Sequence, residues 1–222
     1  MFRRRKMKKI PFTQTTNQLP AYFPETIQPH AFIFQFAPNE LIQKEAEDVQ
    51  YLFYLLKGKA KILKSQENGR QMIVQFLEAG DFIGELTLIQ AEKHTKNVMA
   101  RNNVCCLAIP IRKAQQLLMN DTTFLQEMSR YIGVKLLMRV EHFTENQLYP
   151  LTVRLIDLLL TISIEERYEE KQTEIAEYLG VSYRHLLYTM QQLRELGYIE
   201  KKKGYYLIHR DALIRYRATL IQ

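Results

Sequence analysis

The chain has 222 residues, 46% hydrophobic and 25% charged, with a formal net charge of +7 and a pI near 9.3. That length suits one large domain or two ordinary ones, and that composition argues against global disorder. The only cysteines are the adjacent Cys105 and Cys106; they are too few for a four-thiolate iron–sulfur or zinc site, and as neighbours on a strand they would face opposite ways, which opposes a disulfide.

Residues 1–29 open with Arg3-Arg4-Arg5-Lys6 and Lys8-Lys9 and are expected to form a basic arm. No apolar h-region follows, so this is not a secretory signal, and no apolar run approaches a membrane span. Reduced thiols fit a cytoplasmic protein. Residues 30–120 carry a β pattern. The apolar and β-branched runs Ala31–Phe36, Tyr51–Leu56, Ala60–Lys64, Gln71–Leu77 and Val98–Ile109 are broken by Gly58, Asn68-Gly69, Gly80 and Gly84. Asn-Gly between two such runs predicts a hairpin. Short strands at this spacing predict a barrel or jelly roll, which can enclose a small ligand.

Helix follows. A short one is expected over Arg112–Met119, then a long one over residues 121–149, capped by Asn120 or Asp121 and roughly 40 Å long at 1.5 Å per residue. It carries two apolar faces. Leu125, Met128, Ile132, Leu136, Val140 and Phe143 form one; Phe124, Tyr131, Leu137 and Met138 form the other. Two apolar faces call for two partners: the barrel and a second copy of the chain. Pro150 breaks this helix as a plausible hinge, and residues 150–222 form a second domain. Its first helix, Leu151–Ile164, buries Leu151, Leu155, Leu158, Leu159 and Ile162; Glu165–Glu170 reads as a polar loop, and Asp211–Ile221 as a closing helix.

The stretch Gln172–Ile208 is the most informative. Thr173 is expected to cap a helix carrying Ile175, Ala176 and Leu179; Gly180 turns the chain; Ser182 caps a second helix. Leu186, Met190 and Leu193 repeat at helical spacing and face inward, leaving Tyr183, Arg184, Leu187 and Tyr188 outside. An outward Arg at the start of such a helix sits where a major-groove reader needs it. Tyr198–Ile199, the tip Lys201-Lys202-Lys203-Gly204 and Tyr205–Ile208 then predict a β-wing whose lysines suit phosphates. The predicted DNA-contacting set is Thr173, Ser182, Tyr183, Arg184, His185, Tyr188, Lys201, Lys202 and Lys203.

Barrel, long helix, hinge and winged helix-turn-helix together resemble the CRP/FNR family of bacterial transcription regulators. Gly80-Asp81-Phe82-Ile83-Gly84-Glu85-Leu86-Thr87-Leu88 resembles the phosphate-binding cassette of cyclic-nucleotide domains. The resemblance implies an α+β fold, a homodimer, and a two-fold symmetric duplex site read in successive major grooves. RNA polymerase is a further partner that it admits. It also implies a ligand pocket at Gly84, Glu85, Leu86, Thr95 and Lys96. The family's base-reading positions often hold an Arg-Glu pair and a later Arg; here they hold Tyr183, Arg184 and Tyr188. Where cyclic-nucleotide-binding members grip the phosphate with Arg and Ser, this chain has Thr95 and Lys96, so the effector is expected not to be cyclic AMP and stays open.

A haem would need an axial ligand such as His94 or His142, and no cofactor is expected. Two competing readings remain: a small-ligand sensor without a DNA role, and a cupin-like enzyme. The second lacks clustered metal-ligating histidines, a nucleophile elbow and a phosphate loop, so no catalytic residue is assigned.

Overall fold

The computed structural model describes residues 8–15, 18–65, 71–92 and 95–221. The chain divides into two compact units, Met1–Val134 and Lys135–Gln222.

The first unit is a jelly roll of two sheets. Strands β1 (Lys8–Pro11), β2 (Phe32–Phe36), β3 (Leu41–Gln43), β4 (Tyr51–Lys57), β5 (Ala60–Ser65), β6 (Gln71–Leu77), β7 (Phe82–Ile83), β8 (Asn97–Ala100) and β9 (Val104–Pro110) build it. One sheet has the order β1-β2-β9-β4-β7 and the other β3-β8-β5-β6. Side chains alternate between faces along each strand. Phe34, Phe36, Phe53, Leu55, Val98 and Cys106 therefore fill the space between the sheets. Ile33, Leu52, Leu107 and Ile109 point out of the five-stranded sheet into a second cluster with Phe23, Ile27, Phe124 and Met128. The central strand β9 is covered on both faces, which is why its sequence is a nearly unbroken apolar run.

Gly58, between β4 and β5, is held at φ 100°, and an added Cβ would lie 2.5 Å from the Asn103 carbonyl oxygen. Only glycine fits there. The run expected as one strand over Val98–Ile109 is two, because Arg101–Asn103 turn the chain between the sheets: Arg101 N donates to the Lys59 carbonyl at 2.8 Å, and Asn102 Oδ1 accepts from Lys59 N at 2.7 Å. Asn68-Gly69 and His94 lie outside the described residues. The strands on either side of that Asn-Gly, β5 and β6, pair antiparallel.

The expected basic arm over residues 1–29 needs correction from Lys8 onward. β1 pairs with β2, and Phe12, Phe23 and Ile27 are buried in the outer cluster. Lys9 fixes the strand through its ammonium, which lies 3.8 Å above the Phe32 ring and donates to the Tyr51 hydroxyl at 3.0 Å. A basic count reads as solvated charge; here the lysine's partner is an aromatic face.

Helix α1 (Glu85–Leu88) follows β7, α2 (Ile111–Leu117) follows β9, and α3 (Thr122–Leu148) follows that. Asp121 Oδ1 accepts from Phe124 N at 2.8 Å and caps α3. The first part of α3 packs on the sheet through Phe124, Met128, Tyr131 and Ile132. These four were expected on two separate faces. Their 4-3-1 spacing makes one broad stripe, because a helix resting on a curved sheet buries a wide arc. The Tyr131 hydroxyl donates to Asp81 Oδ1 at 3.2 Å and accepts from Phe82 N at 3.2 Å.

The second unit is built on α4 (Leu151–Ile162), which also buries Val153 and Ile156. Helices α5 (Gln172–Tyr178), α6 (Tyr183–Glu195) and α7 (Arg210–Leu220) surround it, with a sheet of order β10-β12-β11 made from β10 (Arg167–Tyr168), β11 (Ile199–Lys201) and β12 (Tyr206–Ile208). The stretch Glu165–Glu170, expected as a polar loop, contains β10, and its Tyr168 is fully buried. Its acidic composition concealed one inward residue. Among the described residues, no helix is long and apolar enough to cross a membrane.

Candidate nucleic-acid interface

Helices α5 and α6 are joined by a tight turn. Gly180 sits at φ 65°, and Val181 N donates to the Ala176 carbonyl at 2.9 Å. That left-handed turn costs a glycine little and lets α6 start sharply. Ser182 caps α6, its Oγ accepting from His185 N at 3.2 Å. Thr173 does not cap α5. The cap position is Lys171, which makes no side-chain cap bond, and Thr173 lies one residue inside the helix with an exposed side chain. Leu186, Met190 and Leu193 are buried, together with Thr189, whose hydroxyl donates to the His185 carbonyl at 3.0 Å. Tyr183, Arg184, His185, Leu187 and Tyr188 are left on the outer face.

The wing follows α6 directly. β11 and β12 pair from Ile199↔Ile208 to Lys201↔Tyr206, and Lys202 N donates to the Tyr205 carbonyl at 2.9 Å to close the tip at Gly204. Lys201, Lys202 and Lys203 are all exposed. Lys202 also forms an ion pair with Glu200. Sequence reading passed over that carboxylate because nothing in the motif assigns it a task. The expected DNA-contacting residues from Ser182 to Tyr188 are thus gathered at the start of α6, in the same unit as the three lysines.

One network ties this reader together. Arg154, on α4, donates from Nη1 to Asn146 Oδ1 at 2.6 Å and to the Leu179 carbonyl at 2.7 Å, and from Nε to the Tyr149 carbonyl at 3.0 Å. Asn146 Nδ2 then faces His142 Nε2 at 3.2 Å, and the His142 ring stacks on Tyr178 at 4.7 Å. The end of α3, Tyr149 and the end of α5 are therefore stapled by one guanidinium. Burial, helped by Arg154 and opposed by Glu145 and by a hydrogen bond to the Tyr178 backbone, lowers the His142 pKa. No periodicity in the sequence marks these residues as a set.

In the barrel, Gly84 begins α1 at φ 90°, and a Cβ there would approach the Tyr51 carbonyl oxygen and Val49 Cγ1, each to 3.2 Å. Glu85 and Leu86 follow in α1. Thr95 is buried, and its hydroxyl donates to the Lys96 carbonyl at 3.2 Å. Lys96 is ion-paired with Glu92. The cation expected to meet a ligand phosphate thus already holds a carboxylate. Burial raises the pKa of Cys105, against the pull of Lys57, and raises that of Cys106 further, so both thiols stay protonated near neutral pH.

Comparison with known proteins follows the same division. Residues 33–121 match the cyclic nucleotide-binding domain family, and residues 153–216 match the Crp-like helix-turn-helix domain. The regulatory protein YeiL of Escherichia coli O157:H7 is 38% identical over 182 residues, 82% of this chain and 83% of that protein. The cAMP-activated global transcriptional regulator CRP of Salmonella typhimurium is 26% identical over 135 residues, 60% of this chain and 64% of that one. A CRP/FNR-family transcriptional regulator of Thermus thermophilus superposes with a TM-score of 0.68 at 16% identity, covering 85% of this chain and 99% of its own, a likeness of fold. The paired domains and the extended identity to YeiL carry the conclusion: the chain belongs to the CRP/FNR family of transcriptional regulators.

Proposed function

We propose that this regulator binds duplex DNA as a homodimer in the cytoplasm, with α6 in the major groove and the wing lysines on flanking phosphates. In this reading the barrel that begins at β1 and runs to residue 120 is the sensing domain, 121–149 the dimerisation helix and 150–222 the reader. Tyr183, Arg184, His185 and Tyr188 face bases, while Thr173, Ser182, Lys201, Lys202 and Lys203 face the backbone. The observation that carries it is the solvent-exposed start of α6, capped by Ser182, in one unit with a wing tipped by three lysines. Two-fold symmetry then sets the half-sites about one helical turn apart, ~34 Å. RNA polymerase, engaged by such regulators at promoters, is the further partner.

We further propose that cyclic AMP is not the effector. Lys96 is a point charge committed to Glu92, and Thr95 bonds backbone, so the bidentate grip on a cyclic phosphate is missing. Selection from random duplexes with ligand-free protein at near-physiological salt tests the main proposal: a palindrome should be enriched. Titration calorimetry with cyclic AMP, beside a panel of other nucleotides, tests the second, and cyclic AMP should give no binding heat.

A further inference from the structure

The outer face of α6 holds an apolar group that the fold does not need. Tyr183 is 50% exposed, Leu187 37% and Tyr188 61%. The helix buries Leu186, Thr189, Met190 and Leu193 on its opposite side, so the core is already supplied. Residues four apart lie above one another on a helix. Tyr183 and Leu187 make one row, Arg184 and Tyr188 the next, and together with the exposed His185 they tile the first two turns. Beyond them the exposed positions of α6 are polar: Gln191, Gln192, Arg194 and Glu195. No acidic residue stands in the first turn. Those first turns are the part of a recognition helix that meets base edges.

Base edges in the major groove offer hydrogen-bonding groups and a single kind of apolar group, the thymine C5-methyl. A carboxylate, the acceptor for a cytosine amino group, is missing from the tile, and one cation stands in it. We propose that Tyr183, Leu187 and Tyr188 read thymine methyl groups around Arg184, so that each half-site is a guanine set among thymines. This rests on the reading of α6 as the DNA reader and names what that reader selects.

The inference separates from simple charge attraction, because methyl contacts release no counterions. The test takes the duplex enriched by selection and replaces thymines with deoxyuridine, one position in one half-site at a time, which deletes only one methyl. Binding is followed by fluorescence anisotropy at several salt concentrations. At one or two positions affinity should fall about fourfold, the equivalent of ~0.8 kcal/mol for one buried carbon. The slope of log affinity against log salt should not change. In Leu187→Ala or Tyr188→Ala, checked for native circular dichroism, the same replacement should have no further effect at one of those positions. A palindrome that binds selectively yet tolerates deoxyuridine everywhere would overturn the methyl inference and leave the DNA reader standing. Failure to select any duplex, with or without the nucleotide panel, would overturn the DNA reader and this inference with it.

Discussion

Arg184 and Lys202 are both exposed cations, and in the proposed reading their surroundings set different tasks. Arg184 stands in the first turn of α6, where a planar guanidinium can meet guanine O6 and N7 together, worth ~1–3 kcal/mol of discrimination. Lys202 stands at the wing tip and already holds Glu200, so part of its charge is answered within the protein. Arg184→Ala should flatten the preference between specific and random duplexes. Lys202→Ala should weaken both equally and reduce the salt slope by about one. Glu200→Gln should do the reverse of Lys202→Ala and tighten both. Competition binding against random duplex, repeated across salt, measures all three; equal loss of specificity from the two cation variants would refute the division of roles.

At the level of elements, the junction between α3 and α4 carries a pH dependence. Arg154 holds the Asn146 carboxamide by its oxygen, which turns the amide nitrogen toward His142 Nε2. That nitrogen must therefore accept, and a neutral ring is the form that accepts. Burial and the Arg154 charge oppose protonation, while Glu145 and the Tyr178 backbone favour it, and the net direction is a lowered pKa. The sign follows from linkage: the unfolded chain takes up the proton first, so the His142 contribution to stability is present above about pH 6.5 and is lost as pH falls below it. Thermal unfolding of the full chain should show a melting temperature that declines below that point. His142→Phe, which keeps the ring on Tyr178, should shrink the decline; an unchanged decline would place its origin elsewhere. Elements of this kind were the hardest to read from sequence. The bounds of α3 and the turn at Gly180 were legible because a capping Asp121 and a glycine act on their immediate neighbours. The Arg154 staple was not, since it joins residues up to 25 positions apart through carbonyls that every residue carries. Nor was β1, whose lysine sits over an aromatic face that lies far off in sequence.

For the whole molecule, the apolar surface left on α3 is what the proposed dimer would cover. Leu136, Val140 and Phe143 follow one another at intervals of four and three residues and are 60%, 55% and 66% exposed. Burying each against a second copy is worth at most roughly 1.5–3 kcal/mol before the cost of association, and two-fold symmetry counts each residue twice. Sedimentation should give a dimer, and Leu136→Glu combined with Val140→Glu should give a monomer that loses the palindrome while keeping weak binding to any duplex. A monomeric wild type at micromolar concentration would refute the dimer. The two apolar faces expected on α3 are instead one stripe packed on the sheet and an exposed remainder, because periodicity reports that a side chain is apolar and not which neighbour takes it. The pocket followed a similar course. The glycine cassette was legible, since Gly84 has the positive φ that its motif requires, whereas the Glu92–Lys96 pair joins two flexible side chains that no motif marks.

For an effector meeting Lys96 in the proposed pocket, that pair would set the kind of reaction. An empty cationic site would gain an anion by simple addition. At Lys96 an incoming anion must share or displace one already there, carried by the same chain four residues away. Glu92 loses no translational freedom in re-forming its pair, whereas an incoming phosphate or carboxylate does. A small monoanion therefore competes on unequal terms, and selectivity passes to ligands that bring a second charge or a body able to make contacts of its own.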